Sequence, residues 1–174
     1  MLSASSEIDL IHRAKNGDAA AFAELLRAIY LVAFRLAYGL VHDIDEAEDI
    51  VQEASLTAWR RLGNVREGRP LRPWLLAIVA NKCRAAAKRR RWSALSTEQV
   101  FEDVGDIATR VDLHRALACL RHDDRLVLLL RYYLDLPFEE IALALSISPK
   151  GARSRVHRAL ERLRPMLQTR EVFT

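Results

Sequence analysis

Residues 138–164, FEEIALALSISPKGARSRVHRALERLR, decide the fold of this chain. Their apolar side chains recur at spacings of three and four residues, which is the period of an α-helix. Residues 146–148 interrupt this pattern. Ser148 followed by Pro149 is a favourable helix start, because Ser caps the backbone and Pro fits the first turn. The stretch therefore predicts two helices, over 138–145 and 149–163, separated by a three-residue turn.

The second of these helices carries a dense positive charge. Between residues 148 and 164 the chain has six Lys and Arg residues and one acid, Glu161. So many like charges repel one another unless a polyanion faces them. A short helix, a three-residue turn and an Arg-rich helix form the geometry that places a recognition helix in the major groove of DNA. The spacing alone leaves a second interpretation open, an ordinary helical hairpin with a solvated basic face.

Helical periodicity continues through the rest of the chain, and strand patterns are nearly absent. One apolar stripe runs from Phe22 to Leu40, and Asp18 is the predicted N-cap of its helix. The other predicted helices span about 43–62, 73–91, 107–120 and 123–134. The predicted apolar face of helix 43–62 is Ile44, Ala47, Val51, Ala54, Ala58 and Leu62.

Residues 93–106 separate two groups of predicted helices. They are acidic and keep no long period, which predicts a linker or a weakly structured segment. We therefore expect an all-α fold made of two small helical domains, residues 1–92 and 107–170. A flexible linker joins them, and the C-terminal domain contains the helix-turn-helix.

Composition excludes several classes of protein. The chain has 174 residues, of which 51% are hydrophobic and 29% charged, so it has enough apolar material for a core. No apolar run reaches the roughly 18 residues of a membrane span, and residues 1–9 lack the pattern of a secretory signal. The expected location is the cytoplasm. We expect the two cysteines, Cys83 and Cys119, to pack in the core together with Trp59 and Trp74.

An enzyme or a metal protein is the interpretation that the residues support least. No nucleophile–base pair, phosphate-binding loop or cluster of metal ligands is evident in the sequence. We accordingly predict no catalytic residue, no metal, no cofactor and no small-molecule substrate.

Charge is distributed along the chain in blocks of opposite sign. Residues 43–53 contain six acids and no Lys or Arg, whereas residues 63–92 contain nine Lys and Arg and one acid. Separate blocks predict separate surfaces for separate partners, although a solvated acidic face is the simpler alternative for the first block. With Val51 turned toward the core, the opposite side of helix 43–62 carries Asp45, Asp49, Gln52, Glu53 and Leu56.

The predicted helix 73–91 has a basic face. Asn81, Arg84, Lys88 and Arg91 recur along it at spacings of three, four and three residues. Polar and cationic side chains in one row are suited to phosphates of duplex DNA.

Three segments of the chain resemble bacterial RNA polymerase sigma factors, and most closely the small extracytoplasmic-function (group IV) class. Residues 138–142 with 154–164 resemble the domain that recognises the promoter −35 element. Residues 45–53 resemble the segment that docks on the coiled coil of the polymerase β′ clamp. Residues 73–81, with the basic run that follows, resemble the segment that binds the −10 element.

Two positions depart from the family pattern. Ser146 stands where the turn usually has Gly, so the turn must tolerate a Cβ atom or use a different φ. Lys150-Gly151 stands where Gly-Thr is usual, which moves a cation to the start of the second helix.

The resemblance implies an alternative-type sigma factor that binds core RNA polymerase and directs promoter-specific transcription initiation. It implies three partners, which are the β′ clamp of core polymerase, promoter DNA and an anti-sigma protein. The competing interpretation is a stand-alone helix-turn-helix transcription regulator, which the C-terminal half alone would fit. Polymerase-dependent promoter opening separates the two.

The resemblance also assigns residues to three sites, and it implies that the loop 63–71 recognises a flipped-out base of the non-template strand. For core-polymerase binding it implies Asp45, Asp49, Gln52, Glu53 and Leu56. For −10 DNA it implies Arg66, Arg69, Arg72, Asn81, Arg84, Lys88 and Arg91. For −35 DNA it implies Lys150, Arg153, Ser154, Arg155, His157 and Arg158.

Overall fold

The computed structural model describes residues 4–65, 70–94, 113 and 116–168, and the secondary structure in these residues is helical. The first four helices are α1 (Ala4–Lys15), α2 (Ala19–Val41), α3 (Ile44–Arg61) and α4 (Leu71–Ala94), with a 3₁₀ turn at Leu62–Asn64. Residues 116–119 are helical. They are followed by α5 (His122–Leu128), a π-helix (Leu129–Tyr133), α6 (Phe138–Leu145) and α7 (Pro149–Gln168). The all-α prediction is confirmed.

Side-chain caps begin α2 and α3. Asp18 accepts hydrogen bonds from the backbone N–H groups of Ala20 and Ala21, both at 3.0 Å, as predicted. These bonds and the guanidinium of Arg13 lower the pKa of Asp18 below its ordinary value. Asp43 caps α3 in the same way, accepting from the backbone N–H of Glu46 at 2.7 Å.

The four N-terminal helices form a bundle around two apolar clusters. Phe22 of α2 belongs to one of these clusters, and its ring centre is 4.9 Å from that of Trp59. Trp59 and Trp74 are half-buried and pack against this cluster, so their predicted core packing is confirmed. Helix α1, which the sequence analysis did not predict, contributes Leu10, Ile11 and Ala14 to it.

Two predictions about the core are wrong. Ile44 was expected on the buried face of α3 but is 59% exposed, because it is the first residue of the helix, one turn before the buried stripe begins at Ala47. Cys83 is buried as expected, but Cys119 is exposed.

The helix predicted over 123–134 is an α-helix that passes into a π-helix. Leu134 donates its backbone N–H to the carbonyl of Leu129 at 2.9 Å, and Leu136 donates to Leu130 at 3.0 Å. The widened turn ends at Asp135, whose φ is 51°. A 3.6-residue period cannot signal bonds that span five and six residues, and π-turns are frequent at functional positions.

Helices α6 and α7 form the predicted helix-turn-helix. Ser146 closes α6 in the left-handed conformation, with φ 54° and ψ 44°, so the chain tolerates a Cβ atom where Gly would be unstrained. Ser148 caps α7, since its Oγ accepts the backbone N–H of Gly151 at 3.0 Å. Helix α7 continues beyond the predicted end at 163 and includes Pro165.

The two halves of the chain pack against each other. One apolar cluster contains Leu36, Leu76 and Val79 from the N-terminal half together with Leu126, Leu129, Leu136 and Ile141 from the C-terminal half. The backbone of α2 comes close to the C-terminal half at Gly39, where a Cβ atom would lie 3.1 Å from the methyl carbons of Leu129. The predicted linker 93–106 lies largely outside the described residues, and the domain boundaries stay a prediction. No helix of the described chain is long and apolar enough to cross a membrane.

Candidate nucleic-acid and protein interfaces

Helix α7 presents the cationic face that was predicted to bind DNA. Its core-facing stripe is Ala152, Val156, Ala159 and Leu163, all buried. Among the described residues, none of the Lys and Arg side chains of the predicted −35 set forms an ion pair with a carboxylate, which leaves their charge available to a polyanion. The structure brings the whole predicted set together on the solvent side, since all of these are exposed: Lys150, Arg153, Ser154, Arg155, His157 and Arg158.

Several contacts restrain the side chains on this face and at its edge. At the edge, Arg162 pairs with Asp124 of α5, with Nη1 2.5 Å from Oδ2. On the face itself, the guanidinium carbon of Arg153 lies 5.1 Å from the ring centre of Phe138, the first residue of α6. The same ring has Arg131 of the π-helix at 4.9 Å. His157 pairs along the helix with Glu161, at 3.4 Å.

Helix α3 presents an acidic face with one apolar residue. Leu56 is 56% exposed, although it is apolar. The carboxylate of Glu53 lies 2.9 Å from the ammonium of Lys82 on α4, and the hydrogen bond from Lys82 lowers the pKa of Glu53 below its ordinary value. The structure places all five predicted polymerase-binding residues on the solvent side of α3: Asp45, Asp49, Gln52, Glu53 and Leu56.

Helix α4 carries the row predicted to bind −10 DNA. Asn81, Arg84 and Lys88 are exposed on one face, and Arg84 donates to the side-chain oxygen of Asn81 at 3.2 Å. Arg66 and Arg69 lie outside the described residues. Arg91 belongs to α4, but its side chain is outside the described part of the chain.

Two arginines of this set are paired with acids of the C-terminal half. Arg72 forms a two-pronged ion pair with Glu140 of α6, with distances of 2.5 Å and 2.8 Å. Arg84 pairs with Asp123 of α5, with Nη2 2.6 Å from Oδ1. Both guanidinium groups are thus paired with carboxylates. In a complex with DNA they would pair with phosphates instead.

The sequence analysis missed these acidic partners. Glu140 lies in the first turn of α6, where negative charge suits the helix dipole, and the sequence analysis gave it no partner. Arg72 and Glu140 are 68 positions apart, and Arg84 and Asp123 are 39 apart. Ion pairs at such separations leave no periodic signal, so only the folded chain reveals them.

Helix α1 supports the segment that precedes α4. Glu7 accepts the backbone N–H of Leu71 at 2.8 Å, which caps the start of α4. Lys15 donates to the carbonyl of Val65 at 2.6 Å. These two side chains therefore hold both ends of the segment that joins the 3₁₀ turn to α4.

His122 has a pKa below its ordinary value. It is the first residue of α5, and its Nε2 atom is buried without a hydrogen-bond partner. Burial lowers its pKa, the positive charges of Arg84 and Arg125 add to this, and Asp123 acts in the opposite direction. The described residues contain no cluster of His, Cys, Asp and Glu suited to a metal ion.

Comparison with known proteins gives two family matches and several relatives of similar length. The family described as Sigma-70 region 2 matches residues 21–93, and Sigma-70, region 4 matches residues 110–163. The chain is 33% identical over 167 residues to the ECF RNA polymerase sigma factor SigL of Mycobacterium tuberculosis, a match that covers 88% of this chain and 94% of SigL. It is 29% identical over 187 residues to the RNA polymerase sigma-H factor of Pseudomonas aeruginosa, with 97% of each chain covered.

Two solved structures resemble the fold over most of its length. One is CnrH in complex with the cytosolic domain of CnrY, with a TM-score of 0.74, 25% identity, and coverage of 95% of this chain and 99% of that chain. The other is the sigma factor RpoE in complex with the anti-sigma factor NepR from Bartonella quintana. Its TM-score is 0.66 at 25% identity, and the match covers 86% of this chain and 98% of that chain.

Proposed function

The chain belongs to the extracytoplasmic-function class of RNA polymerase sigma factors, and from this premise we propose which partner each of its surfaces binds during transcription initiation. It is an alternative sigma factor that directs RNA polymerase to promoters. The stand-alone regulator is not favoured, because the family matches extend over both halves of the chain. One observation carries the proposal: the same chain exposes an acidic face on α3 and a cationic face on α7.

The acidic face of α3 is proposed to bind the basic coiled coil of the β′ clamp. Asp45, Asp49 and Glu53 supply the charge that steers the encounter and sets its register. Leu56 supplies apolar contact at the end of the same face, where it is exposed without a described partner. Glu53 gives up its contact with Lys82 or shares it, since the Glu53 side chain is 60% exposed.

The cationic face of α7 is proposed to bind the −35 element. In a helix-turn-helix the N-terminal residues of the second helix contact base edges, while the first helix crosses the backbone. Arg153 and Lys150 lie in the first two turns of α7 and are placed to contact guanines or phosphates. Arg155 and Arg158 flank them and are assigned to phosphates.

The basic face of α4 is proposed to bind DNA around the −10 element. Asn81, Arg84 and Lys88 form the described part of this face. Arg72 and Arg84 must exchange Glu140 and Asp123 for phosphates when they bind DNA. The proposed −10 complex therefore requires the two halves of the chain to separate.

We infer that the protein performs no chemistry of its own. Its contribution is binding energy, with two DNA-binding modules placed on one polymerase and base capture coupled to opening of the duplex. The site of action is proposed to be the cytoplasm, where core polymerase and promoter DNA are found.

An anti-sigma protein is the proposed regulatory partner. RpoE and CnrH, which resemble this chain, were solved with NepR and with the cytosolic domain of CnrY. A partner of this kind would act by covering the α3 face or by holding the two halves together.

The test is a titration of the full chain against core RNA polymerase at near-physiological salt. Asp49→Lys is expected to weaken binding by at least about tenfold, because it places a cation against a basic surface. Glu24→Lys is the matched control, since Glu24 is an exposed acid on α2 and lies outside the proposed face. Equal loss for both variants, or none for Asp49→Lys, would contradict the docking assignment.

A further inference from the structure

Phe138 is the first residue of α6, and its ring contacts both α7 and the π-helix that precedes α6. It is half-buried and packs against the apolar cluster shared by the two halves of the chain. The guanidinium carbons of Arg131 and Arg153 lie 4.9 Å and 5.1 Å from its ring centre. Both distances are within the roughly 6 Å over which a cation is attracted to an aromatic face.

The contacts of the two arginines differ. Arg131 donates to the backbone carbonyl of Leu136 at 3.0 Å and approaches Asp135, so it is held by its own turn. Arg153 is exposed and has no described ion pair or hydrogen bond from its guanidinium. Among the described contacts, the ring of Phe138 is therefore the one that restrains the position of the Arg153 guanidinium.

A fixed guanidinium matters for base recognition. Arg has several rotatable bonds, and a long exposed side chain loses rotamer freedom when it binds a base edge. A side chain already held near its binding position loses less of this freedom, which raises affinity and sharpens the difference between bases. The ring supplies this restraint without neutralising the charge, whereas a carboxylate partner would neutralise it.

We propose that Phe138 is a positioning residue for −35 recognition, whose ring holds the guanidinium of Arg153 in the orientation that contacts DNA. This rests on the proposed role of α7 in binding the −35 element. The π-helix takes part, because the widened turn brings Arg131 onto the same ring. Phe138 thus acts through Arg153 and sets a sequence preference, while the phosphate contacts of the neighbouring arginines set the overall affinity.

The experiment uses the holoenzyme reconstituted with core polymerase. The probe is a genomic promoter fragment retained by the wild-type holoenzyme, together with fragments in which each −35 base pair is changed. Phe138→Leu keeps apolar bulk but removes the aromatic face, and Phe138→Tyr keeps the face. We expect Phe138→Leu to reduce the preference at the Arg153-dependent base pair about two- to fivefold, the range set by an exposed cation–π contact. Phe138→Tyr is expected to match the wild type.

A merely structural role would give a different pattern. Loss of folding weakens binding to every fragment, whereas loss of positioning changes one base pair and leaves the slope of affinity against salt unchanged, since no charge is removed. Fluorinated phenylalanines at position 138 keep the ring's shape while weakening its negative face. They are expected to lower the preference stepwise, and they remain informative if Phe138→Leu is unstable.

The Arg153→Ala variant tests the role of Arg153 separately from the positioning role of Phe138. If Arg153→Ala leaves every −35 preference unchanged, the proposed role of Arg153 fails and the inference fails with it. If Arg153→Ala changes a preference while Phe138→Leu and the fluorinated series do not, the positioning role alone is overturned. The double variant Phe138→Leu with Arg153→Ala is expected to resemble Arg153→Ala, because the ring acts through that side chain.

Discussion

At the scale of single residues, Glu7 shows how one side chain fixes a helix end far away in sequence. Its carboxylate accepts the backbone N–H of Leu71 at the start of α4. This position has the electrostatic advantage of a negative charge at a helix N-terminus and satisfies an otherwise unpaired donor.

We expect Glu7→Ala to lower the free energy of unfolding by about 0.5–2 kcal/mol, the usual cost of losing a cap. Urea unfolding of the full chain measures it. Glu24→Ala, at an exposed position of α2, is the control and should change the free energy little. Equal effects of the two substitutions would mean that the contact with Leu71 contributes nothing.

The two thiols differ in exposure, and this difference predicts their reactivity. Burial raises the pKa of Cys83 to about 12, so its thiolate is scarce at pH 8. Cys119 is exposed. A disulfide reagent at pH 8 should therefore label one thiol of the native chain, Cys119, and both after unfolding. Rapid labelling of Cys83 in the native protein, located by peptide mapping, is the result that would contradict this burial.

At the scale of elements, His122 at the start of α5 is expected to link the stability of the fold to pH. Its charged form is disfavoured by burial and by Arg84 and Arg125, while Asp123 and a hydrogen bond with the Ala80 backbone favour it. The folded-state pKa therefore lies below the ordinary 6.5. The unfolded chain binds the proton more readily in this range, so stability is full above about pH 6.5 and is lost as pH falls.

We expect the melting temperature of the wild type to fall between pH 7.5 and pH 5.5 more steeply than that of His122→Gln. The other histidines are present in both proteins, so the difference between the two curves isolates His122. Thermal unfolding followed by circular dichroism measures both. Parallel curves would show that protonation of His122 does not act on folding.

Sequence patterns predicted the long helices well because their buried faces repeat over many turns. The helix predicted over 43–62 is observed at Ile44–Arg61, and the helix-turn-helix has the predicted turn. Helix α1 was missed because only a short stripe of it is buried. The π-helix was missed because its bonding widens a single turn and has no periodic signature of its own.

At the scale of the whole molecule, two ion pairs among the described residues connect the halves across their shared core. Glu140 and Asp123 occupy Arg72 and Arg84, which the proposed function assigns to DNA. Partly exposed pairs contribute up to about 1 kcal/mol each. Together they would shift the ratio of closed to open molecules by up to about thirtyfold.

We expect Glu140→Gln combined with Asp123→Asn to open the molecule and to strengthen binding of DNA to α4. Energy transfer between dyes on the two halves measures the opening. Glu139→Gln is the control, since Glu139 is exposed beside Glu140 and forms no described ion pair. An unchanged distance distribution in the double variant would show that the shared core and the other contacts between the halves hold them together without these two ion pairs.

The roles of individual residues are predictable from the sequence only as far as the family resemblance extends. Exposure of all five residues on α3 agrees with their proposed contact with polymerase, but contact itself stays a prediction. The closed packing of the halves was not predicted, because an acidic, aperiodic linker favours independent modules. The contacts that hold them together join residues far apart in sequence, which local patterns do not register.

The shared core also bears on how long the protein survives. Leu129, Leu136 and Ile141 are buried when the halves pack together, and separation exposes this surface to solvent. Exposed apolar segments are what proteases and chaperones select, so degradation follows the population of opened molecules. We therefore expect a molecule that opens without a partner to be degraded sooner than one whose exposed surface a partner covers.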